Sequence, residues 1–251
     1  MNLRMISRVF FAATMIAIGV IGLVSGGFAP IWQPIPDTVP GREYLAYLCT
    51  FVSLTSGAGL LAKRTAAAAA LILLVYLLVW TAVFKVPFII RAPLEEVSYQ
   101  STGENLVLVA AAWILFAEFA SAPAHFASNV GLRIAYLLYG LALIAFGLSH
   151  FVYLNMTAPL VPSWLPEPVF WAYLTGGIYL AVGVTIATGF HARLGTTVAA
   201  LQIALITVLV WGPMLFAGPM TSMHWQETIV SWALTASAWV MATGSQPKPA
   251  A

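Results

Sequence analysis

Hydrophobic residues in this chain fall in long continuous runs, broken by short groups of prolines, glycines and charges. Eight runs stand out: Val9–Phe28, Tyr44–Ala62, Ala66–Phe84, Leu106–Ala120, Ile134–Phe151, Phe170–Thr188, Leu194–Trp211 and Trp225–Ala242. A helix needs roughly 20 mostly apolar residues to cross the hydrocarbon core of a bilayer. None of the runs alternates with period two, as the strands of a membrane barrel would. The pattern predicts an all-α fold, a polytopic membrane helical bundle of eight transmembrane helices. The first run also fits a signal peptide, since Arg4 and Arg8 precede it and Ser25, Gly26, Gly27 and Ala29 close it. It has a full-length counterpart later in the chain, which favours a retained helix.

Composition sharpens the picture. Of 251 residues, 61% are hydrophobic and 7% charged, whereas a soluble domain carries about 25% charge. Such a chain cannot cover a water-exposed surface, which excludes soluble, disordered and fibrous classes. A net charge of +2 is too small for a nucleic-acid partner. The lone Cys49 excludes an intrachain disulfide and a cysteine-based zinc site. With the N-terminus inside, Arg4, Arg8, Lys63, Arg64, Arg133, Arg193 and Lys248 flank the inner face, and Arg42, Lys85 and Arg91 the outer one. The positive-inside rule then predicts cytoplasmic termini in a bacterial inner membrane. Seven of the eight carboxylates, all but Glu118, fall on the outer side.

The two halves resemble each other, 1–125 and 126–251. Arg8 and Gly22 recur as Arg133 and Gly147; Pro40, Ala46, Tyr47, Leu48 and Gly57 recur as Pro166, Ala172, Tyr173, Leu174 and Gly183. Val79-Trp80 matches Val210-Trp211, which implies extra residues near His191 and a longer loop in the first half between the third and fourth spans. Four spans per half insert in the same sense, so the expected arrangement is two parallel four-helix repeats about an axis along the membrane normal. Ser121–Asn129 is the expected inner linker. Gly19, Gly22 and Gly26, with Ser53 and Gly57, supply the small faces through which membrane helices approach closely.

The second half carries the string Gly147-Leu-Ser-His150-Phe151, then Val161-Pro-Ser-Trp-Leu-Pro166 and Phe170-Trp-Ala-Tyr-Leu-Thr-Gly176, with Ala192-Arg193-Leu194 in the next turn. This resembles the DoxX-like family of small four-helix membrane proteins. The likeness covers Arg133 to about Ala242 and is weaker over the first half, where Ser25 aligns with His150. The chain thus resembles two DoxX-like units in tandem, the first degenerate. The family includes a subunit of a quinone-linked oxidoreductase and members that associate with redox partners or assist membrane-protein assembly. The resemblance implies His150 as a motif residue and no shared catalytic set.

Soluble-enzyme motifs are absent: there is no GxGxxG, phosphate-binding loop, CxxC, HExxH or GxSxG. The cofactor is left open: a buried haem would need axial histidines within spans, and with His125 and His191 in inner turns only His150 and His224 remain, toward the outside. The candidate ligand-binding residues gather at the outer rim: His150 ends the fifth span, His224 and Glu227 begin the eighth on one helix face, and Glu104 opens the fourth. Carboxylates at helix N-termini, Glu43 among them, are also favoured by the helix dipole alone. Met156, Met214, Met220 and Met223 near the two histidines suit copper(I) or serve as apolar filler; no metal site is assigned. The stretch from Lys85 to Gly103 is expected as a long outer loop, either a docking surface for a periplasmic protein partner or a solvated loop with local ion pairs. Gln202 is the main strongly polar side chain expected deep in a span. The leading expectation is a non-catalytic subunit or assembly module with a polar pocket at the outer rim. The alternatives are an oxidoreductase component binding a quinone or lipid-like substrate, and a small-molecule or metal transporter.

Overall fold

The computed structural model describes residues 2–120, 127–216, 218–219 and 221–247; the side chains of 222 and 223 stand outside that description, as do His125, Met220, Lys248 and most of the Ser121–Asn129 linker. Among the described residues there are eight long helices: α1 (Leu3–Ser25), α2 (Arg42–Leu61), α3 (Ala66–Arg91), α4 (Glu96–Phe119), α5 (Asn129–Val152), α6 (Pro168–Thr188), α7 (Ala192–Met214) and α8 (Ser222–Thr243). The first seven are long and apolar enough to cross a membrane, which fits an integral membrane protein. Helix α8 has 22 residues and opens on the polar residues His224, Gln226 and Glu227.

Helix ends are set by local chemistry. Asn2, Ser128 and Thr221 cap α1, α5 and α8, each side-chain oxygen accepting from a backbone N–H two or three residues on. Gly26 and Gly189 stop α1 and α6 at positive φ, the left-handed conformation glycine adopts at little cost. Each helix packs on its sequence neighbours, and α8 closes back on α1. Helices α4 and α8 also pack on each other, so they form the centre of the ring. The core window of α4 is accordingly 72% buried. At the α1 end of the bundle Arg4 Nε donates to Thr243 O at 3.0 Å and Ser7 Oγ meets Thr243 Oγ1 at 2.7 Å, which joins the start of α1 to the end of α8.

Several expectations need correction. Helix starts at Leu3, Arg42, Ala66 and Glu96 in the first half correspond to Asn129, Pro168, Ala192 and Ser222 in the second, 126 residues on in every case. The turn at His191 carries no extra residues, and the loop before α4 (92–95) is shorter than that before α8 (215–221). Matching Val79-Trp80 to Val210-Trp211 followed residue identity; the shared feature is a π-helical turn, Thr81–Lys85 in α3 and Thr207–Trp211 in α7. Pro87 and Pro213 follow those turns. Proline within a helix lacks an N–H and crowds the preceding turn, and a π-turn shifts the hydrogen-bond register just ahead of it. Hence α3 runs on to Arg91, and Lys85 to Gly103 is no loop: only 92–95 connects α3 to α4.

Glycine contacts also revise the matching of α1 with α5. A Cβ on Gly57 would lie 2.7 Å from Ala12 O and 2.8 Å from Ile16 Cγ1; one on Gly183 would lie 2.8 Å from both Gly140 O and Ile144 Cγ1. Gly19 meets Leu54 as Gly147 meets Leu180. The residue packed like Gly147 is thus Gly19, not Gly22, because facing the partner helix decides equivalence. Gly22, which meets Thr50, then takes the place of His150, which meets Gly176.

Candidate functional site

The π-turn of α3 positions a lysine inside the bundle. Lys85 is 0% exposed. Its Nζ donates to Gln33 O, and to Ser101 Oγ of α4 at 2.8 Å. Gln33 is brought there by the loop after α1, which turns inward at Pro30–Trp32 and buries Ile31 and Trp32. Trp80 Nε1 holds the same loop by donating to Trp32 O at 3.2 Å, and the Trp32 ring lies 5.4 Å from Trp80 and 5.5 Å from Tyr76. One turn below Lys85, Asn105 Nδ2 donates to Thr81 Oγ1 at 2.5 Å and to Leu77 O at 3.3 Å. The Asn105 Oδ1, fully buried, has no hydrogen-bond partner, and neither have the two Glu96 carboxylate oxygens.

Glu104 acts on this lysine, and carboxylates of both halves act on Glu104. Glu104 lies within electrostatic reach of Glu227, Lys85 and Glu96. It stands two turns inside α4, not at its start as expected, because the helix begins at Glu96. The helix dipole acts within the first turn, so it accounts for Glu43 and Glu96 and leaves Glu104 to another cause. Glu227 reaches the same region from α8, whose packing on α4 joins the halves. Ionisable groups within membrane helices are costly and persist where they pair with one another or line a functional path. Lys85, Glu104 and Glu227 make such a group.

The histidines sit differently. His150 Nδ1 donates to Phe146 O at 2.8 Å, and its ring lies 5.5 Å from that of Tyr179 on α6. The main packing partners of α5 are α4 and α6, whereas those of α8 are α1, α4 and α7. His224 contributes its backbone N–H to the Thr221 cap at 3.2 Å. Glu104 and Glu227 are therefore gathered at the α4–α8 contact, and His150 is held against α6. Among the described residues no group of three or more His, Cys, Asp or Glu could hold a metal ion. In the second half Gln202 Nε2 donates to Thr175 O at 3.0 Å, at the place where Tyr76 OH meets Cys49 Sγ at 3.1 Å in the first. The polar interior is thus larger than Gln202 alone.

A cavity of about 510 Å³ opens between α2, α3 and the first loop. Leu48, Tyr76, Val79, Trp80 and Val83 line it, and Arg91 stands at one end. Lys85, Ser101, Asn105 and Gln33 were missed by sequence reasoning, which took Lys85 as the end of a span. The signal that could have found them is the recurrence of Thr81…Pro87 as Thr207…Pro213, which marks the same turn in two helices. Comparison with family models, curated proteins and solved structures finds no match to this chain.

Proposed function

We propose that this chain is a membrane module of two DoxX-like four-helix units in tandem, acting as a subunit or assembly partner through a polar pocket toward the outer rim. Eight spans, with α8 as the last, would leave both termini cytoplasmic in a bacterial inner membrane. The tandem arrangement is supported by the constant 126-residue separation of helix starts and by helix packing in which α1–α2, α2–α3, α3–α4 and α4–α5 have counterparts in α5–α6, α6–α7, α7–α8 and α8–α1. The observation that carries the functional reading is that Glu104 lies within electrostatic reach of Lys85 in its own half and of Glu227 in the other. A charge group of buried Lys85 with half-buried Glu104 and Glu227 draws on both units and ties recognition to their junction. Glu104→Gln and Glu227→Gln provide the test, after purification in mild detergent. A stoichiometric polypeptide retained by the native protein and released by both variants, with melting temperatures within a few degrees, is the expected result. Equal retention by all three proteins, or no partner at all, contradicts it.

A second reading, a binder of a quinone or lipid-like molecule, is favoured by the cavity between α2 and α3. A lipophilic molecule extracted in place of a polypeptide would decide for it.

A further inference from the structure

The cavity between α2 and α3 differs from an ordinary lipid-facing crevice in what its walls offer. Its volume, about 510 Å³, lies in the range of ligand pockets, roughly 300–1,000 Å³. Leu48, Val79 and Val83 on its rim are 43%, 54% and 53% exposed, so it opens sideways, toward lipid. Two polar side chains form part of its wall, and both are already engaged inside the protein. Tyr76 OH is taken by Cys49 Sγ, and Trp80 Nε1 by the Trp32 carbonyl. What remains is an apolar trough with one cation, Arg91, at its end. Arg91 is exposed and makes no ion pair among the described residues, although Glu95 stands four residues further along the chain, in the 92–95 connection. Tyr76 and Arg91 are 15 residues apart on one helix, which at 1.5 Å per residue is roughly 22 Å, comparable with an extended acyl chain.

We propose that this trough binds one anionic phospholipid of the surrounding leaflet, its acyl chain along Tyr76, Trp80 and Val83 and its phosphate at Arg91. The charge pattern selects this occupant over a quinone. A quinone needs a hydrogen-bond donor at each of its two opposed carbonyls, and Tyr76 and Trp80 are engaged inside the protein, which leaves donors at the Arg91 end alone. An anionic head needs a cation, and a guanidinium matches phosphate with paired N–H donors. The site does not depend on the cluster of Lys85, Glu104 and Glu227, none of which lines the trough. Its failure would leave the partner reading standing, and the reverse.

The test uses the full chain, delipidated in detergent, with dioleoylphosphatidylglycerol, dioleoylphosphatidylcholine and ubiquinone as separate probes in native mass spectrometry. One phosphatidylglycerol should remain bound per chain at activation energies that strip phosphatidylcholine. Arg91→Gln should weaken that binding about tenfold, and Val83→Trp, which fills the trough from a lipid-exposed position, should abolish it. Far-UV circular dichroism of both variants should match the native protein. Equal retention of the two phospholipids, preferential retention of ubiquinone, or native-like phosphatidylglycerol binding by the well-folded Arg91→Gln variant would each overturn the proposal.

Discussion

Lys85 shows how one residue can hold two distant parts of the chain together. Its ammonium joins the loop at Gln33 to Ser101 of α4, and Glu104 acts on it from nearby. Hydrogen bonds to a charged group contribute about 1.5–3 kcal/mol, and leaving one partner buried without the other adds a desolvation cost. Lys85→Met should therefore lower stability in detergent by about 2 kcal/mol or more, read from reversible unfolding. Glu104→Gln removes only one side of the charge interaction and should cost less. The double variant should depart from additivity by about 0.5–3 kcal/mol, the range for coupled neighbours. Strict additivity would mean that the two groups do not interact. The lysine was visible in the sequence only as a charge two residues before a proline, which reads as the end of a span. Its burial depends on the π-turn, and a turn of that kind has no residue signature apart from its recurrence.

At the scale of elements, the close pairs α1–α2 and α5–α6 rest on glycines that face a partner backbone. A side chain at Gly183 would press on Gly140 O, a backbone atom that cannot swing aside. Overpacking of this kind costs typically 1–3 kcal/mol, so Gly183→Val should melt well below the native protein. Gly177, six residues away on the same helix, has open space where a Cβ would go, and Gly177→Ala should leave the melting temperature within a few degrees. Equal effects at the two positions would remove the close approach as the reason for these glycines. The helices themselves were legible in the sequence as long apolar runs, and seven of them are long and apolar enough to cross a membrane. The register between halves was not. Identity placed Gly22 opposite Gly147, whereas contact places Gly19 there, and only the facing helix can tell them apart. The inward turn at Pro30–Trp32 was equally hidden, since a tryptophan between prolines reads as an interfacial anchor until its burial is known.

For the whole molecule, the candidate site was legible in part. Glu104 and Glu227 were chosen as rim carboxylates and do come within electrostatic reach of each other. His150, singled out by the family-like string, packs on α6 instead, with its Nδ1 engaged by Phe146 O. Chain spacing gives the depth of a residue in the membrane, and the order of packing around the ring then decides which residues meet. That order joins α4 to α8 and the start of α1 to the end of α8. The central claim, eight spans in two parallel units, therefore turns on α8, the most polar of the helices. If α8 crosses, both termini lie on the cytoplasmic side and the 92–95 turn lies outside. Single cysteines at Asn2, Pro247 and Leu94, each probed in intact cells with a membrane-impermeant maleimide, test this directly, because the native Cys49 is 1% exposed. Leu94→Cys should label from outside, and Asn2→Cys and Pro247→Cys only after the membrane is permeabilised. Labelling of Pro247→Cys from outside while Asn2→Cys stays protected would mean seven spans, and would contradict the tandem architecture.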